Sequence, residues 1–227
     1  MKKTLYLLIC AVFCTAIQTL LSANLSAASF KNVNEIAACA SLTFPFNFEK
    51  NDWNNTEKTI NSSGVGAELQ GRIKPYGLPF GLYAQFGFSQ PRKITERRNS
   101  KTFNEKASDY SKIWAADFQA GTYFLAYEDS NWYVPFGFGL HYKLDYNKVT
   151  GIETSSNMFG LSAFIHGEYE FSNYIRTFVG LNVNYDFAGG SKRECSTGGS
   201  TTVYYSESGF MRNIGLTPKI GLVIFTK

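Results

Sequence analysis

Apolar and polar residues alternate along most of this chain. In residues 174–187 the odd-numbered side chains from Ile175 to Phe187 are almost all apolar, while the even-numbered ones between them include Arg176, Asn182 and Asp186. Because successive side chains of a strand point to opposite faces, a period of two predicts a β-strand with one apolar face. The same alternation recurs in 132–146 and 158–171, and more loosely in 36–49, 63–74, 78–89, 112–127 and 210–225. The sequence therefore predicts eight strands.

The lengths of the strands and connections favour a membrane. Each predicted strand has about 12 residues, roughly twice the usual globular length and close to the 9–11 that a tilted strand needs to cross a bilayer. The predicted connections alternate between short ones at 75–77, 129–131 and 172–173 and long ones at 50–62, 90–111, 147–157 and 188–209. Short turns at one rim and long loops at the other are typical of outer-membrane barrels.

A secreted soluble barrel of lipocalin type is the structural alternative, with its apolar face turned inward to a ligand. The polar face is rich in glycine, for example Gly81, Gly137 and Gly180. Glycine weakens an exposed strand surface but suits a crowded barrel interior. The opposite face carries too many phenylalanines for an eight-stranded lumen to hold. We therefore expect an all-β, eight-stranded antiparallel up-and-down transmembrane barrel.

The N-terminal segment has the order of a secretory signal. Lys2 and Lys3 precede an apolar run over residues 5–23, which ends in small residues. We predict a signal peptide at 1–28, cleaved after Ala28, and a barrel domain at 29–227. A transmembrane anchor is less favoured because Thr15 and Gln18 interrupt the run. A lipid-anchored reading starts from the lipobox-like stretch 36–39, although charged residues separate it from the apolar run.

The composition agrees with a membrane β-protein and argues against a nucleic-acid-binding protein. The chain of 227 residues is 44% hydrophobic and has 20 Phe, 14 Tyr and 20 Gly, whereas charged residues make up 18%, below the roughly 25% of soluble domains. The net charge of +4 is mild, so we expect no nucleic-acid partner. We expect a monomer.

The sequence contains no local signature of a catalytic or metal site. CxxC, HExxH, GxSxG and the phosphate-binding glycine patterns do not occur in it, so we predict no catalytic residues, no metal and no cofactor. Removal of the signal leaves Cys39 and Cys195. The predicted topology places these two cysteines toward opposite rims of the barrel, too far apart for a disulfide. We therefore expect two free thiols.

Three features carry a family resemblance: the signal segment, the eight strands over 36–225 and the ending TPKIGLVIF. The chain resembles the small eight-stranded outer-membrane barrels of OmpA, OmpX and OmpW type, and most closely the outer-membrane barrel proteins of spirochaetes. It departs from them at its end, because Thr226 and Lys227 follow Phe225 where many relatives stop at the aromatic residue. The resemblance implies a bacterial outer-membrane location with loops at the cell surface, and it names no activity.

The polar face would form the lumen of such a barrel. An eight-stranded interior is just wide enough to be filled by side chains, so a mixed-charge network there would plug it. Across the turn at 172–173, Arg176 faces Glu170 or Glu168. A register centred near residue 153 would make His141 and His166 neighbours, able to bind a metal or to sense pH, although hydrogen bonding within the network is the favoured role. The predicted lumen residues are Glu68, Arg72, Lys74, Asp117, His141, Lys143, Asp145, His166, Glu168, Glu170, Arg176, Asp186 and Lys219.

The long loops are the second predicted functional feature. The connection at 90–111 is locally basic, and its positive charge would attract the phosphates of lipopolysaccharide or acidic host glycans. A solvated loop without a ligand is the plainer alternative. The connection at 188–209 has the composition of a mobile loop. The basic residues of the first loop are Arg92, Lys93, Arg97, Arg98, Lys101 and Lys106.

The sequence thus predicts an outer-membrane barrel that presents surface loops, with a structural or adhesin-like role and contacts to outer-membrane lipid or an extracellular ligand. An enzyme acting on lipids is not favoured, because both histidines lie on the interior face and no His-x-Ser pair occurs. A narrow channel or carrier for small or hydrophobic molecules, as the OmpW resemblance implies, is one alternative. The secreted ligand-binding barrel is the other.

Overall fold

The computed structural model describes residues 33–53, 56–98, 101–197, 200–205 and 212–226. The predicted signal peptide at 1–28 lies outside these residues. The strands are β1 (Val33–Thr43), β2 (Phe46–Trp53), β3 (Thr56–Pro75), β4 (Phe80–Arg98), β5 (Lys101–Lys106), β6 (Lys112–Glu128), β7 (Trp132–Val149), β8 (Ile152–Ser172), β9 (Ile175–Thr197), β10 (Ser200–Tyr205) and β11 (Arg212–Thr226). A turn of 3₁₀ helix, Ala107–Asp109, precedes β6. Among the described residues no helix is long and apolar enough to span a bilayer.

Eight strands close into an antiparallel ring, which confirms the predicted fold class. The order around the ring is β1 with β2, then β3, β4, β6, β7, β8, β9 and β11, and β11 closes the ring by pairing with β1 and β2. Strands β5 and β10 pair with β4 and β9 and lie outside the ring. Closure leaves the ring without the unpaired edges that a bilayer cannot satisfy.

The predicted first strand, 36–49, is interrupted at Phe44–Pro45 but keeps its place in the ring. Proline has no N–H to donate to a ladder. The neighbouring amides maintain the closure, because Phe44 N donates to Pro218 O at 2.9 Å and Gly64 N donates to Pro45 O at 3.0 Å. The register against β3 and β11 is therefore the same on both sides of the break.

The two faces of the ring differ sharply. Large apolar side chains on the outer face are exposed, including Leu82, Leu140, Leu161 and Val179 at 52–62%. Arg72, His166, Glu168 and other polar side chains are buried inside. The secreted soluble barrel is therefore wrong, since its apolar face would have to be the inner one. An outward apolar belt requires lipid around it.

Interior glycines leave room for the aromatic side chains that fill the lumen. A Cβ on Gly137 would overlap the Phe164 ring, and one on Gly81 would overlap Tyr123. The Phe164 ring also packs edge-on against Tyr83, with centroids 4.8 Å apart. Glycines on the polar face thus belong to the crowded interior.

The prediction that the long connections are loops is wrong, because most of their residues extend the barrel strands. Four hairpins, β2–β3, β4–β5, β7–β8 and β9–β10, continue past the apolar belt on the side away from the short turns; we call them the hairpin extensions. The β7–β8 hairpin closes at Thr150–Gly151, where Gly151 has φ of 74°. The predicted mobile loop at 188–209 likewise contains the end of β9 and all of β10. Pairing satisfies backbone groups that a loop would leave to water.

The short connections lie at the other rim, close to their predicted places. They fall at 76–79, 129–131 and 173–174, between the ends of successive ring strands. Aromatic pairs stand on the outer face at both ends of the belt: Trp132 and Tyr169 near the short turns, with centroids 5.1 Å apart, and Trp114 and Tyr146 near the hairpin extensions, 5.5 Å apart. Such girdles mark the two bilayer interfaces.

Candidate functional site

The lumen near the short turns is crossed by an ion pair between opposite strands. Arg72 on β3 and Glu168 on β8 are separated by three ring strands on each side, namely β4, β6 and β7 or β9, β11 and β1. Arg72 Nη1 lies 2.6 Å from Glu168 Oε1, and Arg72 Nη2 donates to Glu168 Oε2 at 3.0 Å. The two side chains therefore span the whole diameter of the barrel, in the bidentate geometry that arginine favours with carboxylates.

A second arginine stands beside this pair. Arg176 on β9 lies 3.1 Å from Glu35, 3.3 Å from Glu170 and 3.5 Å from Glu168. Its register partner is Glu170. The guanidinium is sandwiched between the rings of Tyr133 and Phe225, at 3.7 and 3.8 Å from their centroids. Stacking and three carboxylates hold this cation away from water.

The middle of the lumen is filled around one carboxylate. Glu68 on β3 lies 2.5 Å from Lys219 Nζ on β11. It also accepts hydrogen bonds from Gln85 at 2.8 Å and from Asn182 at 3.2 Å. Gln70 donates to Gln85 at 3.1 Å and extends the cluster. Side chains from β3, β4, β9 and β11 thus meet at one level.

A histidine–carboxylate pair lies in the part of the lumen nearer the hairpin extensions. His141 Nδ1 lies 2.6 Å from Asp186 Oδ1, and Asn213 donates to Asp186 Oδ2 at 2.8 Å. Both His141 and Asp186 are buried. Lys143 lies 2.9 Å from Asp145. Nearby, the half-buried Asp117 occupies the space that a Cβ on Gly87 would take.

The two histidines are not neighbours. The β7–β8 hairpin turns at 150–151 instead of near 153, so His141 stands opposite Gly160. His166 is stacked on Phe178, with ring centroids 4.5 Å apart, and the tilted Phe164 ring lies 4.6 Å from it. Its Nδ1 lies 3.5 Å from Glu168 Oε1. No group of three or more His, Cys, Asp or Glu residues in the described part of the chain is arranged to hold a metal ion.

The sequence reasoning missed the amides and one acid of this network. Glu35 binds Arg176, although it lies at the edge of the first predicted strand. The prediction considered charged residues and histidines and so left out the neutral amides, although the alternation places each of them on the polar face. They are Gln70, Gln85, Gln119, Asn182, Asn184 and Asn213.

The basic positions predicted on the long connection are spread over the β4–β5 extension and the strand leading into it. Arg92, Lys93 and Lys106 are exposed, and Lys93 pairs in register with Lys106. Arg98 and Lys101 are register partners at the far end of the hairpin. The side chains of Arg97, Arg98 and Lys101 lie outside the described residues.

The β7–β8 extension carries an exposed ion pair. Lys148 Nζ donates to Glu153 Oε2 at 2.9 Å. Hydrogen bonds from Tyr146 and Lys148 hold the pKa of Glu153 below its ordinary value. The pair links the two strands beside the turn at 150–151.

In the part of the chain that the structure describes, Cys39 and Cys195 both carry free thiols. Cys39 is buried in the ring, where its Sγ lies 3.5 Å from Gln70 Oε1. Cys195 is partly exposed on the β9 extension, where its register partners are Ile152 and Thr202. Cys39 therefore lies inside the ring, and Cys195 lies beyond it on the extension.

No protein-family model matches the sequence, and a comparison with curated proteins finds no match. Solved structures do match. The crystal structure of the outer-membrane protein OprG from Pseudomonas aeruginosa has a TM-score of 0.59 at 8% identity, covering 86% of this chain and 97% of OprG. The solid-state NMR structure of the outer-membrane protein AlkL has a TM-score of 0.51 at 10% identity, with coverages of 86% and 92%.

A third structure, of a major outer-membrane protein from Thermus thermophilus, has a TM-score of 0.50 at 14% identity, covering 82% of this chain and 99% of its own. Identities this low show a shared fold and say nothing about activity. The closed ring and the outward apolar belt agree with the fold of these three structures. The chain therefore has the fold of the small outer-membrane β-barrel proteins, with an eight-stranded transmembrane ring.

Proposed function

We propose that this protein is a monomeric barrel of the bacterial outer membrane whose lumen is closed, and that its role is exerted by the hairpin extensions at the cell surface. The role is structural or adhesin-like and is not enzymatic. In this proposal residues 1–28 are a signal peptide, and the mature barrel is residues 29–227.

The observation that carries the proposal is the set of contacts across the lumen. Arg72 meets Glu168 across the full diameter. Gln119 on β6 donates to Asn184 on β9 at 3.3 Å, and Tyr83 on β4 lies 3.3 Å from Ser162 on β8. Contacts at several levels support a lumen filled by side chains, as the size of an eight-stranded ring favours. A closed ring serves as a scaffold, and its extensions remain as the accessible surface.

The β4–β5 extension supports a role in attracting anionic groups. Its exposed Lys93 and Lys106 stand side by side on neighbouring strands. Paired like charges disfavour each other unless an anion lies between them. Phosphates of lipopolysaccharide or acidic glycans of a host have the complementary charge.

Planar-bilayer recording of the mature chain, refolded from detergent, tests the closed lumen. We expect no stable conductance step from the wild-type protein. Replacing two buried lumen ion pairs, as Arg72→Ala, Glu168→Ala, Glu68→Ala and Lys219→Ala together, should open a measurable conductance.

The variant Lys148→Ala with Glu153→Ala is the control, since it removes an ion pair outside the ring. It should remain as silent as the wild type. A steady conductance from the wild-type barrel would refute the closed lumen and favour the narrow channel. That result does not depend on whether the fourfold variant folds.

A further inference from the structure

In the part of the chain that the structure describes, one arginine on the hairpin extensions lacks a counter-charge. Arg193 lies on β9 beyond the stretch, ending at Asp186, that pairs with β11. Its neighbours there are β8 and β10. The side chain is half-buried, and its Nε atom is shielded from solvent without a hydrogen-bond partner. Withdrawal of a guanidinium from water is unfavourable unless an acceptor meets it, so Arg193 is a candidate anion-binding group.

The other charged side chains on the extended parts of β7, β8 and β9 have partners. They form the ion pairs Lys143–Asp145, Lys148–Glu153 and Lys192–Glu194, with N–O distances of 2.9, 2.9 and 2.5 Å. Among the residues that the structure describes, none makes an ion pair or a hydrogen bond with Arg193. The carboxylates of these three strands are thus already engaged, and an anion that meets Arg193 has to come from outside them.

Arg193 stands on the face of β9 that continues the lumen. Its register partner on β8 is Thr154. Because residues two apart on a strand point to the same face, Thr154 shares its face with Ser156 and Met158. Met158 is 0% exposed, so this face is the inner one, and Lys192 stands on the outer one. A group bound at Arg193 therefore lies in the mouth of the barrel, away from the surrounding lipid.

Uncharged hydrogen-bonding groups surround the guanidinium on this inner face. Thr154 stands directly opposite Arg193, and the Cβ atoms of such partners are about 4.5–5.5 Å apart. Ser156 is a diagonal neighbour on β8, and Asn147 is the partner of Thr154 on β7. These three side chains are half-buried, and none of them makes a hydrogen bond within the described part of the chain. The face thus offers a guanidinium, two hydroxyls and an amide to a ligand.

This set of groups fits a tetrahedral oxyanion. The planar guanidinium donates two parallel hydrogen bonds to the oxygens of a phosphate or a carboxylate. Both oxygens of a carboxylate would be taken by this fork, whereas a phosphate or sulfate keeps further oxygens for the hydroxyls of Thr154 and Ser156. A neutral ligand would leave the guanidinium without a counter-charge.

We propose that Arg193, with Thr154 and Ser156, binds the phosphate or sulfate monoester group of a soluble ligand in the mouth of the barrel. A lipid head group does not fit, because the site faces away from the bilayer. The site is separate from Lys93 and Lys106 on the β4–β5 extension. It rests on the proposed role of the hairpin extensions only for the side from which the ligand enters.

Isothermal titration of the mature barrel in micelles of an uncharged detergent tests the proposal. The ligands are glucose 6-phosphate, glucose 6-sulfate, glucuronate and glucose at equal ionic strength, so that only the group at one carbon changes. We expect saturable binding of both esters, about tenfold tighter than that of glucuronate, and no binding of glucose. Absence of saturable binding by both esters would overturn the proposal. Equal affinity for glucuronate would overturn the preference for a tetrahedral group.

Two variants on one strand locate the binding. Arg193→Gln should weaken the binding of glucose 6-phosphate about tenfold or more. Lys192→Gln is the matched control, because it removes the same charge from the adjacent residue on the outer face, and it should bind like the wild type. Equal weakening by both variants would refute a site at Arg193 and would indicate diffuse attraction.

Thr154→Val provides a second comparison if Arg193→Gln does not fold. It keeps the size and the charge of the site and removes a hydroxyl, so we expect weaker binding of both esters. Unchanged affinity in folded Thr154→Val and Arg193→Gln would refute the location. Failure of these titrations leaves the conductance of the barrel as it is, so it is distinguishable from failure of the closed lumen.

Discussion

Arg72 on β3 and Glu168 on β8 join opposite walls of the barrel through two short contacts, of 2.6 and 3.0 Å. The side chains are 2% and 1% exposed. A buried ion pair of this kind is a weak source of net stability, but removal of one partner leaves a charge that nothing compensates. The pair is thus a sensitive point for testing the lumen.

We expect Glu168→Ala to lower the free energy of unfolding by about 3–5 kcal/mol. Arg72 would lose its carboxylate partner, whereas Arg176 would keep Glu35 and Glu170. Urea-induced unfolding of the barrel from lipid vesicles, followed by tryptophan fluorescence, measures the change. Replacing both partners, as Arg72→Met with Glu168→Leu, should cost less than Glu168→Ala alone.

Glu153→Gln is the control for this comparison. It removes one partner of the exposed Lys148–Glu153 pair, and exposed pairs contribute little. We expect no measurable change in stability. An effect of Glu168→Ala as small as that of Glu153→Gln would contradict a buried, lumen-spanning pair.

Gly137→Ala tests the packing of the interior. Its methyl group would overlap the Phe164 ring, and overpacking of a full interior costs about 1–3 kcal/mol. Gly71→Ala is the matched substitution on the outer face, where a Cβ meets nothing within 4 Å. We expect it to be neutral or slightly stabilising, because alanine reduces the freedom of the unfolded chain. Equal unfolding midpoints for the two variants would argue against an interior position of Gly137.

The two thiols should react at very different rates. In the folded barrel we expect a maleimide to modify the partly exposed Cys195 and to spare the buried Cys39 until the protein is denatured. On intact cells, labelling of Cys195 by a membrane-impermeant maleimide tests whether the hairpin extensions face outward. A mass spectrum showing a Cys39–Cys195 disulfide would break the topology.

Leu140→Arg tests which face meets lipid. Leu140 is 55% exposed on the apolar belt, midway along β7. An arginine on the lipid face near the middle of the bilayer costs about 2–4 kcal/mol. We expect folding into vesicles to be correspondingly impaired. Thr202→Arg on β10, beyond the belt, should fold like the wild type, and equal folding yields for both would contradict the proposed depth of Leu140.

The alternation of residues was sufficient to predict the ring and its interior. The outer face meets lipid and the inner face meets packed polar side chains. Neighbouring residues such as Leu140 and His141 can therefore be assigned to the outer and inner face from their odd or even position. The same rule placed Arg72, Glu168 and Arg176 on one face. It could not show that Arg72 reaches Glu168, because this contact depends on which strands stand opposite in the closed ring.

The hairpin extensions and the exact registers lay beyond this rule. Outside the belt both faces of a strand meet water. The sequence of the β9–β10 extension, with Ser191 and Thr202, is therefore polar on both faces and resembles that of a loop. The register of β7 and β8 depends on a two-residue turn closed by Gly151 with positive φ. A shift of that turn away from residue 153 was enough to separate His141 from His166.

The measurement that tests the central claim most directly is the electrophoretic mobility of the mature chain, folded in detergent and run unheated and then boiled. A closed transmembrane ring resists the denaturing detergent until it is heated. We expect the unheated sample to migrate as a compact band that shifts to the position of the unfolded chain after boiling. Identical mobility before and after boiling, from a chain that stays soluble without detergent, would contradict a closed barrel with its apolar face toward lipid.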